Sequence, residues 1–321
     1  MMQTDMKFYF APLEGISGYV YRRAYHTYFG QVDKYFIPFI KPNQFGHLSS
    51  REKNDILPEH NKGMYAVPQI LTNSAEDFIG TAEKLRAYGY KEVNLNLGCP
   101  SKTVVTKGRG SGFLAYPDQL NRFLEEIFEQ TDMRISIKTR IGMDSPDEFE
   151  GLLHIYNQYP LEELIIHPRL QSDMYRNTPN WEVFGEALAK CRCSVCYNGD
   201  IFTVRDYNRF TEQFPEVDRV MLGRGILSDP GLVCAIRQGS VIDKGTLKAF
   251  HDRIYGDYQE VLSGDKTILF KMKEFWFYLA PLFTDHEKYG KKIKKSEKLT
   301  AYEKVVDALF EEQEIRVWKD M

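Results

Sequence analysis

Residues Asn94–Leu114 read NLNLGCPSKTVVTKGRGSGFL. A strand-like run, Glu92–Leu97, ends here at Gly98-Cys99-Pro100 and gives way to a glycine-rich, basic loop. A cysteine where a strand stops, fixed by a proline and backed by a glycine, is placed to point into a cleft. In parallel β/α proteins ligands bind at that end of the strands. The stretch therefore suggests an enzyme with a thiol in its active site. Read alone, Cys99 is equally a small buried hydrophobe, as cysteines outside disulfides often are.

Working outward, short β-rich runs alternate with helical patterns. Candidate strands are Phe8–Ala11, Asp33–Ile40, Tyr65–Leu71, Glu92–Leu97, Arg134–Arg140, Glu163–His167, Ser194–Asn198 and Arg219–Leu222. Helical periodicity fills most gaps, as in Ala75–Tyr88, Pro117–Gln130, Asp147–Tyr156 and Val204–Gln213. Pro42–Lys62 is polar, holds two prolines and shows little helical pattern. Eight strands, each mostly followed by a helix, indicate a (β/α)8 TIM barrel. A doubly wound sheet would place a glycine fingerprint after its first strand, and Ala11-Pro12-Leu13-Glu14-Gly15 is not one. The barrel is expected to close near Ser240. Beyond it, Thr246–Leu262, Thr267–Leu282 and Leu299–Phe310 read as helices. The expected division is a barrel over 1–238 and a small helical domain over 239–321.

The 321 residues, 43% hydrophobic, suit one large domain plus a small one. A net charge of −3 excludes a globally basic protein, so any nucleic-acid surface is a local patch. Five cysteines, without disulfide-framework spacing, argue for a reducing, cytoplasmic setting. MMQTDMKFYFAPLEG does not read as a signal peptide, and no apolar run approaches the roughly 20 residues that span a membrane.

Strand 7 ends at Asn198-Gly199-Asp200 and strand 8 at Gly223-Arg224-Gly225. In many barrels these two loops hold a phosphate. Glycine lets backbone N–H groups come close, and Arg224 can supply a charge-assisted fork. Either motif alone is also an ordinary glycine turn. Together, on neighbouring strand ends, they favour a phosphate-bearing cofactor.

The pattern Asn-x-Gly-Cys-Pro-x-Lys-x-Val, filled by Asn96, Gly98, Cys99, Pro100, Lys102 and Val104, resembles the signature loop of the tRNA-dihydrouridine synthases, and the resemblance extends over most of the chain. These flavin enzymes reduce a uracil ring within RNA. The resemblance implies FMN as cofactor, its phosphate at Asn198, Gly199, Asp200, Gly223 and Arg224. Pro12, Leu13 and Glu14 resemble the segment beneath the flavin ring, and Gln69 the amide at its polar edge. Lys138 resembles the lysine beside the flavin's pyrimidine part, where a cation stabilises the negative charge of the reduced form. His167 resembles a cofactor-contacting histidine. Taken singly, a lysine or glutamine here is also a barrel-mouth surface residue, and His167 a satisfied core histidine.

The chain departs from the family at His167-Pro168-Arg169-Leu170, where glycine and then Arg-Thr commonly follow the histidine; the proline removes a backbone donor. Leu13 stands where methionine is common. Cys191-Arg192-Cys193-Ser194-Val195-Cys196 has no matching Cys or His pair at finger or ribbon spacing, so core packing and a helix end are expected rather than a metal. Gly108-Arg109-Gly110-Ser111-Gly112 imitates part of a nucleotide fingerprint, but no strand leads directly into it. Lys288–Lys298, KYGKKIKKSEK, reads as a solvated linker or helix face or, in a protein of net negative charge, as an RNA-backbone patch. The family places RNA contacts in this region.

The reaction that the resemblance implies is NADPH-dependent reduction of the uridine C5=C6 bond in RNA, foremost tRNA. Hydride passes from flavin N5 to C6 and Cys99 protonates C5. A thiol of ordinary pKa, about 8.5, keeps its proton at neutral pH yet donates readily. Asn96 would hold the uracil edge. Arg140, Arg169 and Arg176 are candidate nucleotide contacts, and Lys107 and Arg109 candidate phosphate contacts. The rivals are an FMN barrel acting on a free small molecule, such as a dihydroorotate dehydrogenase or an ene-reductase, and a barrel that only binds RNA. The basic tail and the Asn-x-Gly-Cys-Pro-x-Lys loop disfavour the first. The second leaves the residues around Lys138 and Cys99 unexplained.

Overall fold

A computed structural model describes residues 6–42 and 47–316. Eight parallel strands close into a barrel in sequence order: β1 Lys7–Phe10, β2 Lys34–Ile40, β3 Ala66–Ile70, β4 Glu92–Leu97, β5 Arg134–Arg140, β6 Leu164–His167, β7 Val195–Tyr197 and β8 Arg219–Leu222. The chain is a (β/α)8 TIM barrel with C-terminal helices, as its alternating pattern predicts. The helices are α1 Tyr19–Tyr28, α2 Ser50–Ile56, α3 Ala75–Ala87, a single turn α4 Lys102–Val105, α5 Pro117–Gln130, α6 Glu148–Tyr156, α7 Trp181–Lys190, α8 Val204–Gln213, α9 Arg224–Ser228 and α10 Leu232–Gln238. The C-terminal helices are α11 Lys244–Val261, α12 Asp265–Leu279, α13 His286–Lys295 and α14 Leu299–Glu312. Among the described residues no helix is long and apolar enough to cross a membrane.

The chain divides into two compact units. One comprises Met1–Pro12, Asp33–Asp200 and Thr211–Met221, the other Leu13–Val32, Ile201–Phe210 and Leu222–Met321. In the first unit β4 shows how sequence sets the barrel. Val93, Leu95 and Leu97 alternate with Glu92, Asn94 and Asn96, and all six are buried. Both faces of a parallel barrel strand are covered, so the polar face must find partners inside. Tyr9, Phe36, Val67, Ile165, Cys196 and Met221, from six strands, meet Ala11, just after β1, in one apolar cluster that fills part of that interior.

In the second unit aromatic side chains form the core. Phe250 of α11 packs edge-on against Tyr21 and Phe29, with centroids 5.4 and 5.2 Å apart. The Tyr302 hydroxyl accepts from Trp276 Nε1 at 2.8 Å and lies 2.6 Å from His251 Nε2. Of the two bland readings of Lys288–Lys298, the structure shows the helix face and not the linker. Most of it is α13, which buries Tyr289 and Ile293 and leaves Lys288, Lys291, Lys292, Lys294 and Lys295 exposed.

Pro42–Lys62 also differs from its reading. Residues 43–46 lie outside the described residues, but Ser50–Ile56 is helical. Two turns are too short to display a periodicity. The signal was a capping box: Ser49 Oγ accepts from Glu52 N at 3.3 Å and Glu52 Oε2 accepts from Ser49 N at 2.9 Å.

Candidate active site

Cys99 lies just beyond the C-terminal end of β4, partly buried against Phe39, Leu71 and Val104. Its loop is tied down at both sides. Asn96 Oδ1 accepts from the backbone N–H of Gly98 at 3.0 Å and of Cys99 at 2.9 Å. Ser111 donates to the Cys99 carbonyl through its N–H at 3.1 Å and its hydroxyl at 2.9 Å. The glycines explain themselves here. Gly110 has φ +56°, and a Cβ on it would stand 2.9 Å from the Cys99 carbonyl oxygen; a Cβ on Gly112 would stand 2.6 Å from that of Val105. The run that imitates a nucleotide fingerprint is thus a close packing of backbone behind the thiol. Gly110→Ala is expected to destabilise the fold by about 1–3 kcal/mol through left-handed strain and overlap. Thermal unfolding would measure this, and an unchanged midpoint would contradict it.

Asn96 belongs to a buried amide ladder. Its Nδ2 donates to Gln69 Oε1 at 2.7 Å, and Gln69 Nε2 donates to Asn94 Oδ1 at 2.7 Å. Asn94 Nδ2 donates to Ser136 Oγ at 3.0 Å, and Ser136 Oγ to Glu92 Oε1 at 3.1 Å. Parallel pairing of Gln69 with Asn94, and of Asn94 with Ser136, sets these side chains next to one another. Individual residues of the ladder are visible in sequence. Their pairing depends on strand register, which is not.

Lys138 pairs laterally with Asn96 on β4 and Ile165 on β6. Among the described residues its ammonium has no hydrogen bond or ion pair. Burial, and then the neighbouring Arg140, push its pKa down to about 8. A desolvated cation without a carboxylate beside it is costly in a closed protein.

Three arginines separate. Arg140 is fully buried. It donates to the carbonyls of Gly98 at 3.0 Å, Leu170 at 2.7 Å and Met174 at 2.7 Å, and lies over the Tyr175 ring. It clamps the Cys99 loop to the loop after β6. Arg169 is also buried and forks onto Asp200, with Nη1–Oδ1 3.0 Å and Nη2–Oδ2 2.5 Å. Its Nη1 also lies 3.0 Å from His167 Nε2. Arginine cannot accept, so Nε2 is the acceptor and the ring's proton sits on Nδ1. Arg176 is exposed. Where Pro168 removes a donor, its carbonyl still accepts from Asn180 N at 2.7 Å, which holds the loop.

The other expected residues fall as follows. Asn198 Nδ2 donates to the Met221 carbonyl at 2.8 Å. A Cβ on Gly199 would stand 2.0 Å from Tyr197 Oη, so the Tyr197 ring would have to shift to admit one. Asp200 carries the Arg169 pair. Pro12 closes its unit's first segment. In the second unit, Leu13 N donates to Ser17 Oγ at 2.7 Å and Glu14 is exposed. Gly223 precedes α9, and Arg224 lies over the Phe202 ring at 5.3 Å. On the loop carrying Cys99, Lys107 is exposed and Arg109 Nε donates to Asn73 Oδ1 at 3.2 Å.

Sequence reasoning missed a charged plug at the opposite, N-terminal end of the barrel. Lys34 Nζ bridges Glu92 at 3.0 Å and Glu163 at 2.9 Å, Arg219 reaches Glu163 at 3.2 Å, and the Tyr9 hydroxyl donates to Glu163 at 2.8 Å. Both glutamates are buried. Their spacing, some seventy residues apart, offers no local signal. Among the described residues no group of three or more His, Cys, Asp or Glu is gathered for a metal.

A family model and curated relatives point to one family. A family model described as dihydrouridine synthase matches residues 9–316. A probable tRNA-dihydrouridine synthase of Staphylococcus aureus (strain COL) is 30% identical over 236 residues, covering 70% of this chain and 69% of its own length. Probable tRNA-dihydrouridine synthase 2 of Bacillus subtilis (strain 168) is 28% identical over 231 residues, covering 70% of each. Among solved structures, morphinone reductase shares the fold, with a TM-score of 0.52 at 14% identity over 75% of this chain and 88% of that one.

Proposed function

The chain belongs to the dihydrouridine synthase family of flavin oxidoreductases, and we propose that it reduces the C5=C6 bond of uridine in RNA, tRNA in the first place, with FMN as cofactor and NADPH as reductant. The observation that carries this reading is Lys138, a partly buried cation with no hydrogen bond or ion pair among the described residues, beside Asn96 and the Cys99 loop at the barrel's C-terminal mouth. Two further features support a flavin there. Gln69 and Asn96 each keep one amide N–H without an acceptor among the described residues, as a ring edge with carbonyl oxygens requires. A Cβ on Gly98 would meet only ordinary contacts, the nearest 3.6 Å away at the Lys138 carbonyl, so the fold itself does not demand glycine. Glycine leaves room for a ligand's close approach.

FMN, reduced by NADPH, supplies the hydride that reaches C6. This chain's residues do the rest. Lys138 and Gln69 hold the polar edge of the ring and balance negative charge, and His167 contributes from β6. Cys99 Sγ holds the proton delivered to C5. Asn96 steadies the uracil edge with its remaining N–H. Pro12, Leu13 and Glu14 are assigned to the ring's underside, and Asn198, Gly199, Asp200, Gly223 and Arg224 to the phosphate, from their positions after β1, β7 and β8. Arg176 is the arginine exposed for the nucleotide. Arg140 and Arg169, taken as nucleotide contacts from sequence, are here assigned to shaping the loops, since both are buried in backbone or carboxylate contacts. The barrel over 1–238 carries the chemistry and 239–321 the RNA, in the cytoplasm.

Incubating the purified protein with NADPH and RNA lacking dihydrouridine tests the reading. Dihydrouridine formation and a bound flavin are expected; a protein that binds no FMN sinks it. The RNA arm rests on the exposed lysines of α13. Each phosphate neutralised adds about 0.7–0.9 to the slope of log affinity against log salt. Replacing Lys288, Lys291, Lys292, Lys294 and Lys295 by glutamine should flatten that slope and leave NADPH oxidation unchanged. An unchanged slope would take α13 out of the RNA site.

A further inference from the structure

We propose that the amide ladder is one-directional, and that it fixes the second N–H of Gln69 and of Asn96 as donors, making Asn94 and Ser136 positioning residues for the site. The inference rests on the function proposed above and specifies what that site can recognise.

The direction is pinned at both ends. At the mouth, the backbone N–H groups of Gly98 and Cys99 can only donate, so Asn96 must turn Oδ1 to them at 3.0 and 2.9 Å. Its Nδ2 then faces Gln69 Oε1, and Gln69 Nε2 faces Asn94 Oδ1, both at 2.7 Å. Asn94 Nδ2 is left to face Ser136 Oγ at 3.0 Å. At the far end the ladder meets Glu92, whose carboxylate oxygens take Lys34 Nζ at 3.0 Å and the Tyr65 hydroxyl at 2.9 Å. That carboxylate accepts from Ser136 at 3.1 Å; the alternative acceptor, the Val93 carbonyl, stands at a marginal 3.5 Å. Donors at one end and an acceptor at the other give the same orientation of all three amides. Turning any one over would set oxygen against oxygen and N–H against N–H in a buried site.

Two consequences follow from the inventory of donors and acceptors. Asn96 Oδ1 is saturated by two backbone N–H groups, and what Asn96 and Gln69 both retain is an N–H. A group placed opposite must therefore offer acceptor oxygens. The carbonyl edges of uracil and of a flavin's pyrimidine ring do; the exocyclic amine of cytosine does not. Moreover, the placement of Cys99 is coupled through Asn96, Gln69 and Asn94 to Ser136, on a different strand, and neither Asn94 nor Ser136 is assigned to the substrate.

The test uses Asn94→Leu and Ser136→Ala as breaking variants and Ser136→Thr as the conservative one. Two quantities are read: the rate of Cys99 alkylation by iodoacetamide, followed by peptide mass spectrometry without FMN, NADPH or RNA, and the dissociation constant for FMN. Breaking variants should alkylate about tenfold faster at Cys99 and bind FMN about tenfold more weakly, the factor one hydrogen bond carries. Ser136→Thr should stay near wild type. Ser136→Ala removes a single atom and decides the matter if Asn94→Leu does not fold. Unchanged alkylation in folded Ser136→Ala overturns the proposal. Because alkylation needs no cofactor or RNA, it reports on the ladder even if the chain proves not to reduce uridine. Dihydrouridine formation by wild type alongside unaffected variants would overturn the ladder alone.

Discussion

Replacing Cys99 by alanine is expected to cut dihydrouridine formation by about 10²–10⁴-fold, the range for loss of a general acid, while bound flavin and NADPH oxidation persist. The separation follows from the geometry. The loop is held through its backbone, by Asn96 Oδ1 on the N–H of Cys99 and Ser111 on its carbonyl. Removing sulfur leaves those bonds intact and the side-chain stub against Phe39, Leu71 and Val104. What is lost is a proton at the place the chain has prepared for it. Single-turnover assays with prereduced enzyme would isolate this step. Near-normal product from the Cys99→Ala variant would refute the role, and loss of flavin together with product would point to a structural one.

Replacing Lys138 by methionine should slow NADPH-driven flavin reduction by about 10²–10³-fold, the usual effect of removing one preorganised charge-stabilising donor. It should also remove a pH dependence. Burial pushes the Lys138 pKa down to about 8 from 10.5. With the folded value depressed, the penalty for holding the ammonium is fully present below about pH 8 and is relieved as pH rises towards 10.5. The apoprotein should therefore gain stability across that window. Binding of an anionic group runs the opposite way. It needs the ammonium, so affinity should fall as pH rises through about 8. The Lys138→Met variant should show neither trend. A wild-type affinity flat from pH 7 to pH 9 would contradict the assignment, those limits lying about one unit either side of the titration.

Much of the fold was legible because its signals are local. Glu92–Leu97, Arg134–Arg140 and Arg219–Leu222 have the boundaries their sequences suggest, and Pro117 at the first turn marks the start of α5. Ser50–Ile56 escaped because two turns carry no periodicity, leaving only the cap as a cue. The site was legible as positions at strand ends. It was not legible as a set of partners. Arg140 and Arg169 attracted attention as candidate nucleotide contacts, yet what a guanidinium meets depends on where the loop after β6 folds back, and both turn inward. Asn94 drew no attention because its partners, Gln69 and Ser136, sit on neighbouring strands at a register that only the closed barrel defines. The same holds for Glu92 and Glu163 around Lys34.

The central claim, that this chain reduces uridine within RNA, is tested most directly by mass-spectrometric mapping of dihydrouridine in RNA from cells with and without its gene. The account predicts that at least one dihydrouridine, in tRNA in the first place, is present with the gene and reverts to uridine without it. An unchanged dihydrouridine map, in a cell whose other dihydrouridine-forming genes have been deleted alongside, would contradict it.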